Sequence, residues 1–429
     1  MSRGHAMVLG AGIAGLLAAR VLADRFATVT VLERDGDSGA APRRGAPQGA
    51  HLHGLLDGGR RLMEELHPGL TAQVVAAGAP QVEPLRDTRW YLHGRRLHPT
   101  GTGLVSLLAS RPLLESVLRA RTVALPGVRF TIGTATGLVA GPGGGVTGVL
   151  VREGPTITAD LVVDATGRGS RSPDWLAALG HDRPVEQRVD VDLGYATRYY
   201  RRRPGDMDGR LGVTVSTVPR SRGGGAIAVE GERWLVTLAG ILGDTPPVDP
   251  AGFTTFAATL PVPDIHDLIA AAEPLGDPLP YRFRGSRWRR YDGATTVPAG
   301  FVAIGDAVCS VNPLYAQGMS LAAQQVRVLQ QQLIGPGPLD PRAFHGAAAR
   351  PCRQAWEIAT RADLALPEVA GTRRVPARIL DAYVRRVQLV AHRDPAVARA
   401  FLRVANLVDA PSRLLTPRLL ASVLRPGAT

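Results

Sequence analysis

An apolar run, Ala6-Met7-Val8-Leu9, breaks at Gly10-Ala11-Gly12-Ile13-Ala14-Gly15 and passes straight into an apolar helical stripe. No other feature of the chain restricts its fold as much. With 50 glycines in 429 residues, a G-x-G-x-x-G pattern arises easily by chance, so its setting decides its meaning. Here it follows a short buried strand and opens a helix, roughly Ile13 to Ala23, with Leu16, Leu17, Ala19 and Val21 facing inward. A second strand, Thr28 to Leu32, then ends at Glu33-Arg34, which puts an acid 18 residues after Gly15. Gly10 permits the tight turn, Gly12 lets the backbone approach a pyrophosphate, and Gly15 lets helix and strand pack closely. The helix N-terminus then faces the negative charge, with Ala14 beside it. Glu33 is placed to accept hydrogen bonds from ribose hydroxyls, which argues against a 2′-phosphate there.

A second constellation lies far downstream. Phe301-Val302-Ala303-Ile304 is an apolar lead-in that stops at Gly305-Asp306. A loop with Asn312-Pro313 follows, and Gln317-Gly318-Met319 opens a long helix. If this strand joins the first sheet, Asp306 sits at a strand's C-terminal end, where open α/β sheets bind ligands. There it could hydrogen-bond a hydroxyl of a ribityl chain. The helix start offers free N–H groups to a pyrophosphate or to the pyrimidine edge of an isoalloxazine. A nicotinamide dinucleotide needs no second clamp so far along the chain, whereas the longer FAD does.

Between these constellations, Arg111 to Arg121 reads as a helix with Pro112 in its first turn. Strands are expected at Val128–Ile132, Gly145–Arg152 and Ala159–Val163, the last entering "DATGRGSRS". From about 185 to 290 strand-like runs alternate with Gly/Pro turns: Val189–Tyr199, Gly212–Val218, Ala226–Val229 and Trp234–Ala239. They predict an antiparallel sheet with a helix, Ala251 to Thr259, laid on it. Beyond residue 340 the chain reads as helical and Arg-rich, a cap over a substrate cavity with a solvated basic face. The fold class is thus α/β, a Rossmann-type FAD-binding domain with an inserted antiparallel-sheet substrate domain and a helical C-terminal region. The expected division is 1–70, 100–184 and 296–340 for FAD binding, 71–99 and 185–295 for the substrate sheet, and 341–429 for the helical region.

Composition mostly excludes. The net charge is +13, but every basic residue is arginine and no lysine occurs, which looks like codon bias more than nucleic-acid recognition. No run is long enough for a transmembrane helix, and the chain reads as untargeted and cytoplasmic. Cys309 and Cys352 make neither a disulfide framework nor a metal set, and His51 and His53 have no cysteine or acid at ligand spacing. No metal is expected, nor a covalent histidyl–flavin bond.

Taken in order, "GAGIAG…ER", "LVVDATGR" and "VAIGDAVCSVNPLYAQGMS" resemble the three FAD-binding motifs of class A flavoprotein monooxygenases, the p-hydroxybenzoate hydroxylase superfamily. The resemblance covers roughly residues 6–335. It implies that Asp164 is the middle-motif acid, although Ala165-Thr166-Gly167 stands where Asp-Gly is usual. It implies that Arg111, in "SRPLLESVLRA", contacts the FAD ribose or pyrophosphate, that Arg43 or Arg44 lies near the pyrophosphate, and Gln48 near the flavin ring. "RRGAPQGAHLHGLL", "GERWLVTLAG" and "RFRGSRWRRY" look like the actinobacterial branch of polyether-type polyketide epoxidases and related oxygenases.

The implied activity is that of an oxygenase: NADH or NADPH, a transient co-substrate, reduces non-covalently bound FAD. A flavin C4a-hydroperoxide then passes one oxygen atom of O₂ to an electron-rich carbon. Such chemistry resides in the cofactor, so no nucleophile–base motif is required and no catalytic residue is nominated. The small apolar residues of 185–290 favour a large, mostly apolar polyketide or terpenoid, epoxidised or hydroxylated. Tyr199, Tyr200 and Trp234 could line its cavity or pack the strand core. The alternatives are a flavin-dependent reductase or dehydrogenase and a non-redox, FAD-bound cyclase of a polyene. A halogenase is disfavoured because the expected Trp-rich segment and lysine are missing. A carrier protein or separate reductase is a possible partner.

Overall fold

The computed structural model describes residues 3–36, 47–218, 220–294, 297–335, 337–371 and 375–425. Along the chain run β1 (Arg3–Leu9), α1 (Ile13–Ala23), β2 (Phe26–Glu33), β3 (Thr88–Leu92) and α2 (Arg111–Val123). Then come β4 (Val128–Ile132), β5 (Leu161–Asp164), β6 (Val185–Arg201), β7 (Gly212–Val215), β8 (Arg222–Val229) and β9 (Arg233–Gly240). The last group is β10 (Leu279–Arg290), β11 (Phe301–Ala303), β12 (Cys309–Ser310), α3 (Gly318–Gln332), α4 (Pro341–Asp363) and α5 (Pro395–Ala405).

Five strands form a parallel sheet in the order β11-β5-β1-β2-β4. Alternation along β1 explains its unbroken apolar run. Ala6 and Val8 enter a core shared with α1, α2 and α3, while Met7 and Leu9 enter another on the opposite face. That opposite face is covered by the antiparallel strands between β4 and β5 and by α4. A sheet buried on both faces selects apolar residues at every position, and each fully buried Val or Leu contributes about 1.5–3 kcal/mol. The register places Leu9 opposite both Leu32 and Asp164, and Asp164 opposite Ala303. The strands therefore finish level, and the turns after β1, β5 and β11 leave from one edge.

The second sheet has eight strands, ordered β12-β10-β6-β9-β8-β7-β3 with Arg95–Arg96 at the far edge. Two helices, Pro250–Ala258 and Asp264–Ala271, pack Phe253, Phe256, Ile265 and Leu268 against Ala196, Tyr200, Trp234 and Val236. The second of these helices and strand β10 go beyond the sequence expectation. β10 escaped it because its outward residues are arginines: Arg282 and Arg284 are exposed, while Tyr281 and Phe283 turn to the other face. The Gly54–Leu66 helix begins only at Asp57, since Leu55 is taken by a bridge to Leu107.

The segment 71–99 divides between the two layers. Val74 and Ala79 pack in the core of the parallel sheet, and the chain joins the second sheet only at β3. The C-terminal helices bury Val387, Val390, Val397 and Leu402 against Leu85, Leu97 and Leu104, while Leu366 and Val369 pack beside Tyr195 and Phe283. No helix among the described residues is long and apolar enough to cross a membrane.

Candidate functional site

Between the level edge of the parallel sheet and the second sheet lies a cavity of about 550 Å³. Each of its walls is built by a local rule. Gly10 turns with φ +93, and a Cβ on Gly15 would stand 1.9 Å from the Gly10 carbonyl oxygen, so that position admits glycine alone. Gly12 is the N-cap of α1 and supplies no side-chain cap, which leaves the first-turn N–H groups of α1 open. Gly10, Gly12 and Ala14 line the cavity, as do Glu33 and Arg34. The Glu33 carboxylate accepts hydrogen bonds from the N–H groups of Ala11 (2.8 Å) and Asp35 (3.2 Å), tying the end of β2 to the turn after β1.

The second wall comes from the segment after β11. Gly305 (φ +63) and Asp306 line the cavity with Pro313, Gly318 and Met319. α3 also starts without a side-chain cap, and the Gln317 Oε1 is buried with no hydrogen-bond partner among the described residues. Burial pushes the Asp306 carboxyl up, while Arg111 and Arg168 pull it back down. Arg111 reaches the cavity from the first turn of α2, where Ser110 caps the helix and Glu115 holds the guanidinium at 2.9 Å. Gln48 lines the cavity as well. Arg43 and Arg44 lie outside the described residues.

Asp164 stands apart from this group. Its carboxylate is wholly buried and accepts from the Thr166 N–H (2.9 Å), the Thr166 hydroxyl (2.6 Å), and the hydroxyls of Ser170 and Ser172. It shapes the turn after β5 and does not line the cavity. Gly15 and Gln317 also lie outside the lining. Tyr200 and Trp234 are buried beneath the two sheet helices, and Tyr199 packs against a separate apolar cluster.

The third wall was not assembled from sequence. Tyr195 of β6 pairs in register with Tyr281 of β10, and their rings stack with centroids 6.2 Å apart. The His51 ring lies 5.2 Å from that of Tyr281, its Nδ1 is 2.7 Å from the Thr197 hydroxyl, and Thr197 is 2.7 Å from Thr237. Burial lowers His51 to about 4. Burial, with Arg111 adding to it, lowers His53 to about 3. Both imidazoles are neutral at pH 7 and line the cavity. Arg168 and Phe283 complete this wall. The alternation of Tyr195, Thr197 and Tyr199 along β6 was visible in the sequence. The partners across the sheet were not.

Behind the second wall, the Asp363 carboxylate at the end of α4 accepts from the Asn312 amide (2.7 Å) and the Tyr315 hydroxyl (2.9 Å). Burial pushes it up to about 6, with those two donors opposing. Asn312 also accepts from the Leu314 N–H, and Ala316 closes the turn at φ +54. Cys309 and Cys352 are both buried and unpaired by disulfide, and no cluster of metal ligands occurs among the described residues.

The arrangement suits an elongated dinucleotide. Two open helix starts, the Glu33 and Asp306 carboxyl groups and five arginines (Arg34, Arg111, Arg152, Arg168 and Arg171) share the lining of one cavity. FAD fits this set of donors and acceptors. Residues 8–63 match the family model described as an NAD(P)-binding Rossmann-like domain. Protein Rv3254 of Mycobacterium tuberculosis is 34% identical over 456 aligned positions, covering 98% of this chain and 94% of that protein. Kynurenine 3-monooxygenase of Salinispora tropica is 28% identical, covering 81% of this chain and 77% of its own length. Among solved structures, a flavoprotein/dehydrogenase from Cytophaga hutchinsonii superposes with a TM-score of 0.70 at 15% identity, covering 97% of this chain and 96% of that one.

Proposed function

We propose that this chain, which belongs to the same family as protein Rv3254 and is an FAD-dependent monooxygenase, epoxidises or hydroxylates a large, mostly apolar natural product. The observation that carries the reading is that two open helix starts and an aromatic wall line the same cavity. The segments 1–70, 100–184 and 296–340 hold the dinucleotide in this reading, and the 185–295 sheet presents the substrate. A polyketide or terpenoid skeleton suits the apolar face of that sheet, in keeping with the resemblance to the polyether-epoxidase branch. The catalytic cycle is cytoplasmic, with NADH or NADPH as electron donor.

Bound FAD, once reduced, supplies the activation of O₂ and the electrophilic oxygen atom. The chain's own residues do the rest. The N–H groups of α1 and α3 hold negative charge at the pyrophosphate and at the flavin's pyrimidine edge. Glu33 and Asp306 accept from ribose and ribityl hydroxyls. Tyr195, Tyr281 and Phe283 keep the reacting end dry, which protects a reactive oxygen species from water. His51, neutral and backed by Thr197, is set to hold or pass one proton at a ring nitrogen.

The test is the visible spectrum of the purified protein before and after adding NADPH without air. A bound yellow chromophore that bleaches and returns on admitting O₂ supports the reading. A colourless chain that cannot be reconstituted with FAD overturns it. Incorporation of labelled oxygen into a polyene or phenolic product then separates an oxygenase from a reductase.

A further inference from the structure

We propose that the lobe of the cavity bounded by Arg168, Tyr195 and Tyr281 binds a carboxylate carried by the substrate, so that the substrate is an acid on an otherwise apolar skeleton. The inference rests on the flavoprotein reading above and narrows its substrate class.

Arg168 lies over Phe283, its guanidinium carbon 4.4 Å from the ring centroid. It donates to the Ser310 hydroxyl (3.2 Å) and the Gly285 carbonyl (2.6 Å), both neutral groups. Among the described residues it has no ion-pair partner. Burial holds it below the usual arginine value, against the pull of Asp306 and Tyr281. Behind it, Arg188, Arg287 and Arg289 share one carboxylate, Glu186. Nor do the hydroxyls of Tyr195 and Tyr281 have a hydrogen-bond partner among the described residues. Burial raises both phenols, so they stay O–H donors at any working pH. A partly buried cation and two free donors on one cavity wall are costly to leave unpaired. A purely hydrocarbon ligand would strip their water and return nothing. A carboxylate accepts from donors of both kinds, and its charge-assisted bonds to a guanidinium are the strong ones.

The experiment uses the FAD-loaded protein and two probes, dodecanoate and methyl dodecanoate, titrated against the flavin absorbance and by calorimetry. Dodecanoate should bind about ten-fold tighter than its ester or better. Arg168→Gln should bring that preference close to one, Arg168→Lys should keep part of it, and Tyr281→Phe should lower it by about three-fold. Equal binding of acid and ester, or no binding of either, overturns the proposal. So does an Arg168→Gln protein that keeps the preference while losing FAD or NADPH affinity, because the guanidinium would then serve the cofactors. A protein that never takes up FAD defeats the flavoprotein reading instead, and calorimetry with the same probes still reads the carboxylate site.

Discussion

The two walls that face each other across the cavity are specified in different ways. The parallel-sheet wall is set by neighbours in sequence: Gly10, Gly12 and Gly15 act within one turn, and Glu33 closes on Ala11 at 2.8 Å. The opposite wall is set by partners far apart in the chain, with Tyr195 beside Tyr281 and His51 tied to Thr197. A wall of the first kind tolerates almost no substitution at its turns. A wall of the second kind can change its side chains and keep its backbone, which is where substrate choice is free to vary.

Gly15→Val strikes the first wall hardest. Its Cβ would meet the Gly10 carbonyl oxygen at 1.9 Å, a backbone atom that cannot step aside. A loss of at least about 3 kcal/mol is expected, seen as a protein that is colourless and melts early. Asp164→Ala should come next, at roughly 3 kcal/mol, because it leaves buried hydroxyls of Ser170 and Ser172 without their acceptor. Equal stability of the Asp164→Ala protein, measured by denaturant, would break the contrast between its structural part and that of Asp306.

Asp363 gives a pH-dependent case. Its folded value, about 6, lies above the ordinary 3.8, so between those values the native state holds more protons than the unfolded one. Its contribution to stability is therefore full below about pH 4 and falls as pH rises through 6, by roughly 2–3 kcal/mol. Asp363→Asn should flatten that slope and gain on the parent at pH 7. His51 and His53, with lowered values, act in the opposite direction at acid pH. The difference between parent and variant isolates Asp363.

Asp306→Ala should weaken FAD by about ten- to a hundred-fold. The apoprotein's melting point should move by no more than about 2 °C, since burial already disfavours this charge. Thr197→Val is the mildest. It removes the hydrogen bonds to His51 and Thr237 for about 1 kcal/mol and should leave FAD affinity unchanged. A large loss of FAD there would mean that the aromatic wall supports the cofactor as much as the parallel-sheet wall does.

The same contrast explains what the sequence could disclose. Ile13–Ala23 and Val128–Ile132 were readable to the residue because periodicity and glycine punctuation are local signals. The level edge that gathers Gly10, Glu33, Gly305 and Asp306 followed from placing two strands in one sheet. Asp164 was carried over with the middle motif, and nothing in its spacing said whether its carboxylate faced a ligand or its own turn. β10 was hidden by arginines on its exposed face, and with it went Tyr281, Phe283 and the pairing that builds the third wall. Asp363 sits 51 residues from Asn312, too far for any pattern to link them.

That distance has a consequence during synthesis. The carboxylate that fixes the turn before α3 lies at the far end of a 23-residue helix. A nascent chain leaving the ribosome exposes both of its glycine turns well before the group that fastens the second one. The seat for the dinucleotide is finished late and from its C-terminal side.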